Sequence, residues 1–155
     1  MAETARAAGP PPSGERLLCT FRVDQLLLGL DIATVQEVLR GQEVTRLPLA
    51  APAVRGIINL RGRIVPAVDL RRCFDLEPAP EGVGSATIVV RGLEAPVSLL
   101  VDDVGDVMRV SQETFARTPE TVRAGARELL HGVFPLEDRL LLELDLGRVL
   151  QAAYA

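Results

Sequence analysis

Asp102, Asp103 and Asp106 form the densest group of possible metal ligands in this sequence. A divalent cation such as Ca²⁺ needs several oxygen ligands that converge from a loop of defined spacing. The segment Asp-Asp-Val-Gly-Asp lacks the spacing of an EF-hand and has no second set of ligands to complete a coordination shell. It therefore predicts a solvated strand end, and we expect neither a metal nor any other cofactor.

Histidine and lysine, which supply much of the acid–base and covalent chemistry of enzymes, are almost missing. His131 is the single histidine, and all 17 basic residues are arginines because the chain contains no lysine. A lone imidazole without an identifiable serine or cysteine partner does not indicate a catalytic pair. Without lysine the chain cannot build a P-loop, a Schiff-base enzyme or a protein kinase site. The residues predict a binding protein, with no catalytic residues, and not an enzyme.

The strongest candidates for binding surround a predicted hairpin tip at Arg61-Gly62. Asn59, Arg61 and Arg63 alternate along the chain, so they are expected to share one face of the hairpin. Guanidinium and amide groups can pair with the carboxylates of a partner or with the free carbonyls at a helix end. An arginine at a turn is also compatible with plain solvent exposure, and the residues alone leave both interpretations open.

Two short apolar strands must position this tip. Gly62 accepts the positive φ of a tight turn, and runs rich in Ile and Val flank it on both sides. Alternation predicts one shared buried face on the hairpin, made of Ile58, Leu60, Ile64, Val68 and Leu70.

The rest of the sequence predicts many short strands that are separated by turns rich in Gly and Pro. Strands are predicted over 17–23, 26–30, 86–91, 96–101, 104–110, 129–136 and 139–144. Asp31 is expected to cap a helical segment over 32–39, residues 70–74 to form one helical turn, and Asp145 to cap a closing C-terminal helix. This pattern is typical of a mainly β protein built from small antiparallel barrels.

The domain organisation follows from two segments rich in Pro and Gly. Residues 1–15 are predicted to be a disordered tail, and residues 16–155 a single domain. The linker over 77–84 is the best boundary within that domain. We expect approximate subdomains over 16–80 and 81–150, with the termini free to cross between them.

Composition limits the class of function. The 155 residues are 48% hydrophobic, yet no apolar run approaches the roughly 20 residues that span a bilayer, and no signal peptide is evident. Cys19 and Cys73 stand alone, which fits a reducing compartment. A net charge of −4 and 3% aromatic residues disfavour a small β-barrel that binds nucleic acid, which remains the alternative function. We expect a cytoplasmic protein that does not insert into the membrane.

The order of several motifs resembles the CheW family of bacterial chemotaxis coupling proteins. The resemblance runs from about Leu17 to Leu150. It is carried by 28–32 (Leu-Gly-Leu-Asp-Ile), 35–38 (Val-Gln-Glu-Val), 56–62 (Gly-Ile-Ile-Asn-Leu-Arg-Gly), 64–70 (Ile-Val-Pro-Ala-Val-Asp-Leu) and 101–107 (Val-Asp-Asp-Val-Gly-Asp-Val).

The resemblance implies both a fold and a role. The implied fold is two SH3-like five-stranded β-barrels that share a hydrophobic core, with short helices and a C-terminal helix. The implied role is a non-enzymatic adaptor that joins the cytoplasmic tip of chemoreceptors to the regulatory domain of the histidine kinase CheA within receptor arrays. The positions that match the receptor-contacting residues of the family, in a groove between the barrels, are Val35, Glu37, Asn59 and Arg61.

Overall fold

Two β-sheets make up most of the structure, a computed structural model that describes residues 14–48, 51–79, 86–92 and 94–154. The first sheet combines the N-terminal hairpin with the last strands of the chain. It contains β1 (Glu15–Val23), β2 (Leu26–Asp31), β9 (Asp103–Ser111), β10 (Leu130–Pro135) and β11 (Leu140–Leu144). Their order is β10-β11-β2-β1-β9, and every pair is antiparallel except β11 with β2.

The second sheet is inserted between the two parts of the first. It contains β3 (Val35–Arg40), β4 (Thr45–Arg46), β5 (Val54–Leu60), β6 (Arg63–Asp69), β7 (Ala86–Arg91) and β8 (Pro96–Val101). The order is β3-β7-β8-β6-β5-β4, in which only β6 and β8 run parallel. The central hairpin predicted from the sequence is thus β5 and β6, and it lies inside this sheet.

Helices are short and occupy the ends and corners of the sheets. They are α1 (Leu70–Cys73), α2 (Ala124–Arg127) and α3 (Leu146–Ala153), with 3-10 turns at Ile32–Thr34 and Gln112–Thr114. Asp145 caps α3 as predicted, because its Oδ1 accepts a hydrogen bond from the Arg148 amide at 3.1 Å. The turn at α1 is capped in the same way by Asp69.

Buried side chains form one shared core and a smaller cluster against each sheet. The shared core takes residues from both sheets and from α3, including Phe21, Leu30, Val68, Ile88 and Val149. On the opposite face of the second sheet, Ile58, Leu60, Val65, Ala67 and Val89 pack together. A third cluster, built on Leu18, Val110, Phe134 and Leu141, belongs to the first sheet. The mainly β fold with a shared core is therefore confirmed.

The structure describes only some of the residues at which the sequence predicts domain boundaries. The division at residues 80–81 lies outside the described residues and stays a prediction. Each sheet takes strands from both sides of that point, so the two sheets do not follow the order of the chain. The predicted tail is also outside the described residues, apart from Gly14 and Glu15, and Glu15 already begins β1.

Two local predictions were wrong. The helix expected over 32–39 is only a 3-10 turn at Ile32–Thr34, followed by β3, which pairs with β7 and satisfies its backbone in that ladder. Ile64 was expected on the buried face but is 62% exposed, because it lies opposite Asn59 on the outer side of the hairpin. Its neighbour Val65 faces the interior instead and is 1% exposed.

Candidate functional site

The tip of the β5–β6 hairpin presents an arginine in an unusual backbone conformation. Arg61 has φ +50° and Gly62 has φ +84°, so both central residues of the two-residue turn lie in the left-handed region. Two positive φ values are the mark of a type I′ turn, whose twist matches that of the flanking strands. Gly62 was predicted for this role, but the strain at Arg61 was not.

Asn59 holds this turn in place from within the hairpin. Its Oδ1 accepts a hydrogen bond from the Gly62 amide at 2.9 Å, while the residue itself is exposed. An asparagine side chain that mimics a backbone carbonyl is a common way to stabilise a tight turn. Asn59 therefore positions Arg61 as well as standing on the same face of the hairpin.

The guanidinium of Arg61 meets the carboxylate of Glu37 on β3. Nη1 of Arg61 donates to Oε1 of Glu37 at 3.1 Å, and Nη2 donates to Oε2 in a second, closer bond. A bidentate pair of this kind fixes direction as well as distance. Because β3 is one edge of the second sheet and β5 lies next to the other edge, the pair joins the two ends of that sheet and helps to curl it.

The electrostatic effect of this pair is local and mutual. The hydrogen bonds from Arg61 hold the pKa of the Glu37 carboxyl below its ordinary value, and the carboxylate in turn raises the pKa of the guanidinium. The Arg61 side chain remains 71% exposed and that of Glu37 26% exposed. Both groups are charged and accessible at neutral pH, so together they can be contacted from outside.

Val35 occupies a different position from the other three predicted site residues. It pairs with Val90 at the start of β3 and is 1% exposed within the shared core. The structure therefore brings Glu37, Asn59 and Arg61 together at one surface, whereas the side chain of Val35, on the same strand as Glu37, is buried in the shared core. Its side chain can set the position of that strand but does not form part of the surface.

The aspartate cluster proves to be structural. Asp102 was predicted to be a solvated strand end, yet it is 6% exposed. Its two oxygens accept hydrogen bonds from Nε and Nη2 of Arg71 at 2.9 and 2.6 Å, and Oδ2 also accepts from the Asp24 amide at 2.7 Å. The prediction was wrong because the long side chain of Arg71 turns inward from α1, which neither spacing nor hydropathy indicated.

The remaining members of the cluster do not converge with Asp102 on a common point. Asp103 is exposed and pairs with Arg40 at 3.2 Å, which lowers the pKa of its carboxyl. Asp106 uses its backbone carbonyl to accept from the Thr20 hydroxyl at 2.6 Å. Within the described ranges, no three side chains of His, Cys, Asp or Glu lie close enough together to hold a metal ion.

Other reactive groups of the chain are occupied or inert. The His131 imidazole is about half exposed and lies 3.4 Å from the Asp145 carboxylate beside α3. Burial raises the pKa of the Cys73 thiol to about 12, so it stays protonated and a poor nucleophile. In the part of the chain that the structure describes, no helix has the length and apolar character needed to cross a membrane.

Comparison with known proteins gives a consistent result across most of the chain. The profile of the CheW-like domain matches residues 17–154. The chain is 31% identical to the chemotaxis protein CheW of Klebsiella aerogenes, over 98% of this chain and 90% of that one. It is 34% identical to the chemotaxis protein CheW of Rhizobium meliloti, over 86% of this chain and 87% of that one. Protein PilI of Pseudomonas aeruginosa is 30% identical over 79% of this chain and 68% of its own.

A solved structure extends this similarity to three dimensions. The crystal structure of the scaffolding protein TtCheW from Thermoanaerobacter tengcongensis superimposes with a TM-score of 0.73 at 28% identity. The match covers 83% of this chain and 88% of that one. The predicted fold of two SH3-like subdomains is confirmed by this match.

Proposed function

This chain belongs to the CheW family of chemotaxis coupling proteins, and we propose that it is a non-enzymatic adaptor that joins a chemoreceptor to the histidine kinase CheA. In this role the protein works in the cytoplasm at receptor arrays. Its receptor surface is the exposed patch formed by Glu37, Asn59 and Arg61, which we call the tip patch. Val35 supports the patch from below.

The bidentate pair between Arg61 and Glu37 is the observation that carries this proposal. Three features converge there: an arginine at φ +50°, an asparagine that fixes the turn, and a carboxylate from a strand distant in sequence. Backbone strain is retained where the surrounding structure holds it in place, and it concentrates at functional positions. Asn or Gly would form this turn with less strain, so the turn by itself does not require an arginine.

The tip patch suits a helical partner. The family resemblance implies that the cytoplasmic tip of the chemoreceptor is a long antiparallel helical hairpin. A helix end leaves its last backbone carbonyls without partners in the helix, and these are acceptors for a guanidinium. Arg61 has two guanidinium nitrogens on Glu37 and further N–H groups that can donate to such acceptors. Glu37 orients the guanidinium before binding, which reduces the entropy lost when the complex forms.

A charge reversal at the tip tests this assignment. In Arg61→Glu the bidentate pair is replaced by two carboxylates, so affinity for a soluble fragment of a chemoreceptor tip should fall by about tenfold or more. The fold should persist because the side chain is 71% exposed. Binding is measured by co-sedimentation or anisotropy, and folding by thermal denaturation of the same preparations.

Arg109 offers a matched control. It is also an exposed arginine in an ion pair, with Glu15 at 2.8 Å, but it lies on β9 in the first sheet. Arg109→Glu should leave receptor binding unchanged. Equal binding by wild type, Arg61→Glu and Arg109→Glu would remove Arg61 from the receptor surface, whereas equal loss in both variants would indicate a non-specific effect of charge.

The nucleic-acid-binding alternative has weaker support. The net charge is −4, and many arginines of the described residues neutralise carboxylates instead of forming a basic stripe. Binding to phosphates would require a broad positive field and would weaken steeply with salt. A mobility-shift assay with single-stranded DNA and RNA at low salt should show no complex.

A further inference from the structure

A small pocket lies at the opposite end of β5 from the tip patch. Its volume is about 330 Å³, at the lower end of the range of small-molecule sites. Arg55, near the start of β5, lines the pocket, whereas Arg61 lies in the turn that follows that strand. At about 3.3 Å per residue, roughly 20 Å of strand separate the pocket from Arg61. The pocket is therefore distinct from the tip patch.

Three arginines from separate segments of the chain line this pocket. They are Arg46 on β4, Arg55 on β5 and Arg72 on α1. No Asp or Glu is among the described residues that form its lining. In a protein whose net charge is −4, this is a local concentration of positive charge within a concave surface. The charge of the lining points to an anionic ligand.

One carboxylate, that of Asp69, neutralises part of this charge. Its Oδ2 accepts a hydrogen bond from Nη2 of Arg55 and lies 3.7 Å from Nε of Arg72. Its Oδ1 is occupied by the Arg71 amide at 3.0 Å, and the side chain is only 5% exposed. Asp69 thus brings two guanidinium groups together while compensating a single positive charge. Two positive charges remain for a ligand.

Most of the N–H donors of the three arginines are unused. Among the described residues the side chain of Arg46 has no hydrogen bond or ion pair. Arg55 uses only Nη2, and Arg72 donates only Nη1, to the Pro52 carbonyl at 3.2 Å. A guanidinium carries five N–H groups in a fork that matches the oxygens of phosphate. A phosphate group, with up to two negative charges and three acceptor oxygens, fits this excess better than a carboxylate does.

The backbone holds Arg46 in place before any ligand binds. β4 has only two residues, and Arg46 pairs with Gly56, the residue after Arg55. A Cβ at Gly56 would lie 2.0 Å from the Thr45 carbonyl oxygen, so β4 can approach β5 this closely only because position 56 is glycine. The arginines of β4 and β5 are thereby fixed near each other, which lowers the entropy lost on binding.

An apolar wall stands beside the three arginines. Leu47 lines the pocket and is 43% exposed, which makes it one of four large hydrophobic side chains exposed among the described residues. Pro48 and Pro52 extend this wall. A bare inorganic anion would leave these apolar side chains in water, whereas a ligand with an organic part next to its phosphate would cover them. The wall therefore favours a phosphate ester over free phosphate.

We propose that this pocket binds the phosphate group of a small phosphate ester. Arg46, Arg55 and Arg72 bind the phosphate oxygens, and the organic part of the ligand lies against Leu47 and the two prolines. The inference does not rest on the proposed function, because it concerns a different surface and a different class of ligand.

Three probes test the ligand class on the full chain. Adenosine monophosphate carries a phosphate ester, adenosine lacks the phosphate, and inorganic phosphate lacks the organic part. Titration calorimetry should show the monophosphate binding most tightly, inorganic phosphate at least several-fold more weakly, and adenosine not at all. The affinity for the monophosphate should fall as salt increases. Binding of neither phosphate probe, or equal binding of adenosine and its monophosphate, would overturn the inference.

Substitutions locate the site. Arg46→Ala should fold normally, because the side chain is exposed, and should bind the monophosphate about tenfold more weakly or worse. Arg109→Ala is the matched control, since Arg109 is an exposed arginine on β9 outside the pocket, and it should bind as the wild type. Wild-type affinity in Arg46→Ala would place the phosphate elsewhere and overturn the inference.

Leu47→Ser tests the organic part of the ligand. It should weaken binding of the monophosphate several-fold and leave the affinity for inorganic phosphate unchanged, because Leu47 contributes apolar surface alone. Unchanged affinity for both probes would mean that the pocket takes a free anion, and the assignment of a phosphate ester would be wrong.

Discussion

Two arginine–carboxylate pairs of this protein have the same chemistry, but one is buried and the other is exposed to solvent. Arg71 and Asp102 meet inside the molecule, where their side chains are 10% and 5% exposed. Arg61 and Glu37 meet at the surface, where the arginine is 71% exposed. Both pairs are bidentate, and both connect segments that are distant in sequence. Burial is therefore the main difference between them.

The buried pair connects the two sheets. Asp102 follows β8 of the second sheet, and its amide donates to the Arg22 carbonyl while its carboxylate accepts from the Asp24 amide at the β1–β2 turn. Arg71 adds a bond to the Glu77 carbonyl at 2.8 Å. Each of the three guanidinium nitrogens of Arg71 thus donates to an acceptor within the protein, and both oxygens of Asp102 accept. The exposed pair leaves donors available, which suits a group that a partner contacts.

Arg71→Ala should produce the largest effect on stability. Removing one member of a buried pair leaves an uncompensated charge, which typically costs about 3–5 kcal/mol. Arg72→Ala is the matched control, since the neighbouring arginine is 49% exposed and lies 3.7 Å from Asp69. It should change the free energy of unfolding by less than about 1 kcal/mol. Urea denaturation of both variants measures the difference, and similar midpoints would mean that the buried pair does not hold the sheets together.

The comparison also shows what the sequence could predict. The β5–β6 hairpin, its turn at Gly62 and the C-terminal helix capped by Asp145 follow from local rules, and all are confirmed. Contacts between residues that are distant in sequence could not be predicted from such local rules. Nothing in the spacing indicated that Arg71 would turn inward to Asp102, or that Ile64 would face outward while Val65 faced the interior.

For the candidate site as well, the sequence supplied one part of the information and the structure the other. Family resemblance supplied Val35, Glu37, Asn59 and Arg61 as positions, but not how they are arranged. The burial of Val35 depends on the pairing of β3 with β7, which the sequence does not specify. The bond from the Gly62 amide to Asn59 spans only three residues, so it is a local turn signal that sequence reasoning missed.

Acid unfolding should distinguish the two pairs by their pKa values. Burial alone would raise the pKa of the Asp102 carboxyl, but hydrogen bonds from Arg71 and the Asp24 amide outweigh it, so the pKa is lowered. A lowered folded-state pKa gives stabilisation that is present above the ordinary Asp value of about 3.9 and is lost as pH falls through the folded value.

Asp102→Asn should therefore flatten the fall in stability below about pH 4. Glu37→Gln removes a carboxyl whose pKa is also lowered, in this case mainly by the Arg61 hydrogen bond, so its effect has the same sign. It should be much smaller, because water screens the exposed pair. Urea midpoints measured from pH 2 to pH 6 give both curves. If Glu37→Gln alters the loss of stability with falling pH more than Asp102→Asn does, the exposed pair stabilises the fold more than the buried pair, contrary to this prediction.

Exchanging the charges of the exposed pair tests what a partner contacts. The double variant Arg61→Glu with Glu37→Arg restores an ion pair with the opposite orientation. Stability should match the wild type, whereas affinity for the chemoreceptor tip fragment should stay reduced, because the arginine then projects from β3 instead of the hairpin tip. Full recovery of binding in the double variant would mean that the pair serves only to close the second sheet.

Arg61→Asn should have the smallest effect on stability of these variants. It is informative because stability and receptor affinity should respond differently to the same substitution. Asparagine adopts the left-handed conformation with less strain than arginine, so the turn at φ +50° should be as stable as before or slightly more stable. The guanidinium is lost at the same time, and receptor affinity should fall with it. Thermal denaturation and a binding titration on one preparation measure both quantities. A variant that unfolds earlier and still binds the receptor would indicate that Arg61 is kept for the hairpin and not for the partner.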